Sequence, residues 1–149
     1  MATRRTTGSL VWHLAMKWRA EVDRAIAHLG LSHAEYSVLA SLHALMAQGK
    51  EPTQRELADY TGLQAIYISK LVRALEAGGH LSRRPDQVDT RAFRLALTDA
   101  GRVSISAALE IVRNLDRRLT EPLGGPDGER TMDLAAMLSL LLDQPRIRS

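Results

Sequence analysis

The sequence predicts a mainly α-helical fold with helices at both ends and one two-stranded β-hairpin between them. Three observations predict it. Apolar residues recur at three- and four-residue steps over most of the chain, as one face of a helix requires. Ser/Thr-x-x-Glu segments, which start helices by exchanging side-chain and backbone hydrogen bonds, stand before two of these stretches. The period drops to two only once, at residues 92–97, where Phe93, Leu95 and Leu97 alternate with Ala92, Arg94 and Ala96 as a strand does.

A first helix is expected from about Ser9 to His28, with Leu10, Leu14, Trp18, Val22 and Ile26 as its stripe and Gly30 as its stop. Ser32-His33-Ala34-Glu35 caps a second helix offering Tyr36, Leu39, Leu42 and Leu45 for burial. Thr53-Gln54-Arg55-Glu56 opens a short third helix carrying Leu57 and Ala58. Thr61-Gly62-Leu63-Gln64 is a possible third box, leading into a helix with Ile68, Leu71, Val72 and Leu75 inward and Gly78-Gly79 at its end. Leu81-Ser82-Arg83-Arg84 is the expected hairpin partner of the alternating strand, joined to it through the polar segment at residues 85–89. Thr98 is placed to cap a long helix carrying Val103, Ile105, Leu109, Val112, Leu115 and Leu119. After Pro122-Leu123-Gly124-Gly125-Pro126, a last helix shows Met132, Ala135, Leu138, Leu141 and Leu142.

Composition narrows the function. The 149 residues suit one domain or one with a small appendage, and 45% are hydrophobic. No apolar run approaches the ~20 residues of a membrane span. The basic start Met1-Ala2-Thr3-Arg4-Arg5 is followed by Trp12, His13, Lys17 and Arg19 rather than an apolar leader, so a cytoplasmic protein is expected. Without cysteine, disulfides, thiolate metal sites and thiol redox sensing are excluded. The net charge is only +3, but between Gln64 and Arg94 six basic residues stand against three acidic ones. Such concentration suggests a polyanion, because Lys and Arg on phosphates release counterions; a solvated basic surface is the alternative.

Two short helices separated by Asp59-Tyr60-Thr61-Gly62 and followed by a basic hairpin make a winged helix-turn-helix arrangement. The turn holds the second helix out so that its first turns can enter a major groove, and the hairpin can lie along the backbone or reach a minor groove. The expected organisation is an N-terminal dimerisation helix (1–30), a winged helix-turn-helix DNA-binding domain (31–101) and C-terminal dimerisation helices (102–149).

The segment from Leu81 to Gly101 resembles the wing signature of the multiple-antibiotic-resistance regulator (MarR) family, through Asp89-x-Arg91 and then Leu95-x-Leu97-Thr98-x-x-Gly101. The segment from Tyr67 to Glu76 resembles that family's recognition helix, and the resemblance extends over essentially the whole chain. One departure is Thr90, where many members carry a second arginine. The resemblance implies a homodimer on a pseudo-palindromic duplex site, usually a repressor released by a small ligand, here a small aromatic or phenolic effector. It implies no cofactor.

Chemistry and position then assign roles. Gln64, Ala65, Tyr67, Ser69, Lys70 and Arg73 are the recognition-helix candidates. The Gln64 amide donates and accepts, so it can read a base edge; otherwise it back-caps Thr61. Tyr67 touches DNA or packs. Ser69 and Lys70 are phosphate or base contacts. On the wing, Arg91 is the chief candidate, with Asp89 orienting it by an ion pair, or else the two stabilise the hairpin. Arg83, Arg84 and Arg94 are expected on the DNA backbone. The terminal helices are too apolar to stand in water and are expected to pair across a two-fold axis. Trp12, His13, Met16, Tyr36 and His43 are the effector-pocket candidates, with core or interface packing as their alternative.

The rival readings are a winged-helix protein-interaction module without DNA binding and a metal-responsive repressor. The five histidines, His13, His28, His33, His43 and His80, lack tight ligand spacing, so no metal site is expected. An enzyme is not expected either, since no phosphate loop, nucleophile elbow or HExxH segment occurs.

Overall fold

The computed structural model describes residues 4–145. Met1, Ala2 and Thr3 of the basic start, and residues 146–149 of the expected C-terminal segment, lie outside them. The chain divides into two compact units, Met1–Ile111 and Val112–Ser149.

In the first unit, helix α1 spans Thr7–Ile26, starting two residues before the expected Ser9 because the Thr6 hydroxyl accepts from the Ser9 amide. It gives way at Ala27–Leu29 to a tighter 3-10 turn closed by Gly30. Helix α2 spans His33–Ala47 and α3 spans Gln54–Thr61. Both expected capping boxes form: Ser32 with Glu35, and Thr53 with Glu56. The third box does not form. Thr61 is the last residue of α3; its hydroxyl donates to the Ala58 carbonyl and accepts from the Leu63 amide. Asp59, Tyr60 and Thr61 thus belong to α3, and the turn is Gly62-Leu63-Gln64, starting three residues later than expected. Gly62 ends α3 at φ 72°, a left-handed conformation that a side chain adopts only with strain.

Helix α4 spans Ala65–Ala77, strand β1 Leu81–Pro85 and strand β2 Phe93–Leu97. The strands pair antiparallel, with Leu81 opposite Leu97 and Pro85 opposite Phe93. Two short strands are marginal alone in water. Here Leu81, Leu95 and Leu97 are buried on one face, and the Leu95 amide donates to the Pro52 carbonyl ahead of α3. Helix α5 spans Asp99–Thr120, started by Thr98, whose hydroxyl accepts from the Gly101 amide and donates to the Gly79 carbonyl. This explains the Thr98-x-x-Gly101 pattern. A Cβ on Gly101 would fall 1.8 Å from the His80 carbonyl oxygen, so only glycine lets α5 begin against the link between α4 and β1.

The core of this unit joins Val22 and Ile26 of α1, Val38, Leu39 and Leu42 of α2, Leu57 of α3, Ile68, Val72 and Leu75 of α4, the hairpin leucines and Ile105. Burying each such side chain is worth about 1.5–3 kcal/mol. The stripe predicted for α1 is only partly used: Val22 and Ile26 are buried and Trp18 is half-buried, but Leu10 and Leu14 are exposed, as are Trp12 and Met16 off the stripe.

The second unit comprises the end of α5, a 3-10 turn at Glu121–Leu123 and helix α6, Glu129–Leu142. The Thr131 hydroxyl donates to the Gly125 carbonyl, tying α6 to the turn before it. No residue of α6 is buried; Met132, Met137, Leu140, Leu141 and Leu142 all face solvent.

Candidate nucleic-acid interface

The turn and the core together aim the start of α4 outward. Ile68, Leu71, Val72 and Leu75 fix the inward face. At 100° per residue, Ile66, Lys70 and Arg73 then fall on the opposite face, and all three are exposed. Gln64 is the N-cap residue rather than part of the first turn, with extended backbone and no capping bond from its side chain. The back-capping alternative is not realised, and its amide is exposed. Ala65 is exposed, Tyr67 is partly exposed beside Leu63, and Ser69 is half-buried with its carbonyl accepting from Arg73 Nε at 3.3 Å.

The wing treats its cations differently. Arg83 meets Glu76 of α4 through two bonds, 2.7 Å and 3.0 Å, and its guanidinium lies 5.1 Å from the centre of the Phe93 ring. Arg84 pairs with Glu51, its Nε at 2.9 Å. Arg94 donates to Asp86 at 3.0 Å, to the Glu51 carbonyl at 3.0 Å and to Glu56 at 3.1 Å. The hydrogen bond from Arg94, helped by the Asp89 amide, holds the Asp86 carboxyl below its usual range; Arg83 does the same to Glu76. Three arginines expected on the DNA backbone are thus engaged within the protein, fastening the hairpin to α4 and to the start of α3.

Arg91 stands apart. It is exposed in the wing loop, and among the described residues its guanidinium has no partner. The expected ion pair from Asp89 is replaced by a backbone contact: Asp89 Oδ1 accepts from the Arg91 amide at 3.0 Å. Asp89 shapes the loop, and the side chain of Arg91 is left open. Arg55, exposed at the start of α3, borders the same cleft of about 410 Å³ as Arg91. Sequence reasoning used Arg55 only as part of a capping box and passed over Ile66. Helical phase was the available signal for Ile66, since it lies opposite the buried stripe.

A groove of about 570 Å³ runs between α1, α2 and the α3–α4 turn, with Arg19, His33, Ser37, Tyr60, Leu63 and Tyr67 on its walls. Burial lowers the His33 imidazole from its usual value, against the pull of Asp23. Of the expected effector residues, Trp12 and Met16 line a neighbouring groove of about 450 Å³ on α1. His13, Tyr36 and His43 line neither groove. The His13 ring instead contacts the Ser9 carbonyl at 2.6 Å. No group of three metal-ligating side chains occurs among the described residues, and no helix there is long and apolar enough to cross a membrane.

Residues 29–92 match the sequence model of the MarR family. An HTH-type transcriptional regulator of Bacillus subtilis, YdcH, is 33% identical over 110 residues, covering 74% of this chain and 75% of its own. The chain belongs to the MarR family. It is a transcriptional regulator of winged helix-turn-helix architecture. Two solved structures share that fold. The transcriptional regulator PA3341 is 31% identical, with a TM-score of 0.71, covering 92% of this chain and 95% of its own. The transcriptional repressor CouR, bound to a 23-mer DNA duplex, is 29% identical, with a TM-score of 0.75, covering 92% and 90%. The segment that matches the MarR model contains α2, α3, α4 and the wing loop with Arg91, so the family likeness falls on the elements that carry the open side chains.

Proposed function

We propose that this MarR-family chain is a repressor that acts as a homodimer, in the cytoplasm and without catalytic activity, on a pseudo-palindromic duplex site. The start of α4 enters the major groove and Arg91 contacts the adjacent backbone or minor groove. One observation carries this reading: Gln64, Ile66 and Lys70 on the outer face of α4, and Arg91 on the wing, are exposed and lack side-chain partners among the described residues. A helix start and a cation left open side by side suit a polyanion with readable base edges. The likeness to CouR, a repressor bound to DNA, supports it.

The exposed apolar residues of α1, and separately those of α6, support pairing of two copies, since groups of exposed large apolar side chains mark interaction sites. The groove beside the α3–α4 turn, with Tyr60, Leu63 and Tyr67 on its walls and Arg19 among them, suits a small aromatic or phenolic effector. Occupied, it would bear on the turn that sets α4.

The test is selection of binding sites from a random duplex library with the full chain, followed by titration over a salt series. The expected outcome is a two-fold repeated motif bound by a dimer, with affinity falling steeply as salt rises. Retention of no duplex, or a protein that stays monomeric while bound, overturns the reading.

A further inference from the structure

We propose that Ile66 reads the C5 methyl group of a thymine in each half-site and so sets part of the sequence preference. The inference rests on the DNA-binding reading above and adds a base and an atom to it. Ile66 is the second residue of α4 and is 77% exposed. Its face carries Lys70 and Arg73 further along, so the outward stripe is apolar at the helix start and basic beyond it. That is the order in which a helix entering a groove meets base edges and then phosphates.

The chemistry favours one base. In the major groove, thymine alone presents a methyl group; cytosine offers an amine donor and the purines offer polar acceptors. An isoleucine can neither donate nor accept, so it gains from the methyl and strands any polar edge it covers. Its branched Cβ also leaves one strongly preferred side-chain rotamer in a helix, so its methyl groups are held in place before contact. The neighbouring Gln64 amide can serve the polar edge of an adjacent base pair.

The experiment uses the full chain and the duplex it selects. Each half-site thymine is replaced in turn by uracil, which removes the methyl and nothing else. One position per half-site is expected to lose about fourfold in affinity, the worth of one buried methyl group. In Ile66→Ser that loss disappears, whereas Ile66→Val retains it. Placing 5-methylcytosine rather than cytosine at the same position restores part of the wild-type affinity and none of that of Ile66→Ser. A selected duplex in which no thymine responds, or in which the response persists in Ile66→Ser, overturns the assignment while DNA binding stands. Binding to no duplex overturns the DNA-binding reading, and this assignment falls with it. Because Ile66 is exposed, both variants are expected to keep the helix content of the parent.

Discussion

Helix α4 and the wing hold their polar groups in opposite states. On α4 the core does the positioning: Ile68, Leu71, Val72 and Leu75 seat the helix, and the side chains of Gln64, Ile66 and Lys70 are left open among the described residues. On the wing, Leu81, Leu95 and Leu97 are buried and ion pairs add to them: Arg83, Arg84 and Arg94 are bound to Glu76, Glu51, Asp86 and Glu56, and among the described residues the Arg91 guanidinium is open. Two five-residue strands are marginal alone, so the hairpin needs both its buried leucines and its ion pairs to the body. Three of the wing's four arginines are thus already engaged within the protein.

The largest expected effect tests the open helix. Gln64→Ala should change the base preference at one position per half-site by about 1–3 kcal/mol, the worth of a good side-chain-to-base pair. Nonspecific affinity should barely move. Binding-site selection on the variant checks this; an unchanged motif would mean that Gln64 faces solvent in the complex.

Next comes the one open wing cation. Arg91→Ala should weaken binding to all duplexes alike and lower the slope of log affinity against log salt by about 1 for each phosphate that Arg91 neutralises. Titrations at several salt concentrations read the slope directly. An unchanged slope would return the wing to a purely structural part.

A smaller effect separates anchoring from direct contact by sign. If Arg94 served DNA, Asp86→Asn would free it and raise affinity, since a negative charge is also removed. If Arg94 anchors the hairpin, Asp86→Asn and Arg94→Met should both weaken binding, by about two- to fivefold for a partly exposed ion-pair network. A rise in affinity for Asp86→Asn would move Arg94 to the DNA surface.

These contrasts also show what the sequence made legible. Local rules were readable: the Ser32/Glu35 and Thr53/Glu56 boxes, the alternation at Phe93, Leu95 and Leu97, and the Thr98 cap all involve residues within a few positions of each other. The engagement of the arginines was not, because Arg84 meets Glu51 across 33 residues and Arg94 meets Glu56 across 38, pairings that only the folded chain creates. The groove lined by Arg19, His33, Tyr60, Leu63 and Tyr67 depends in the same way on how α1 lies against α2, and no stripe on either helix reveals which residues will line the gap. Ile66 differs. Its phase, opposite the buried stripe and shared with Lys70 and Arg73, is legible in the sequence once the 100° step is applied.

The smallest effect concerns acid. The Asp86 carboxyl is held below its ordinary value of 3.8 by Arg94 first and by the Asp89 amide second. A carboxyl with a depressed folded value stabilises the native state fully above its ordinary value, and that contribution is lost as pH falls through the folded value. The wing anchor should therefore be constant from pH 8 to about 5 and loosen only below about 4. The His33 imidazole is also depressed, by burial, from an ordinary value of 6.5, so its contribution begins to fall as pH drops below that point. The two regions thus separate on the pH axis: the groove responds first and the wing last. Amide exchange at Ala92 and Leu95, which bond to Asp89 and Pro52, reports the wing, while the ring resonances of His33 report the groove. Loss of protection at Ala92 and Leu95 near pH 6 would show that the hairpin leans on the groove rather than on its own ion pairs.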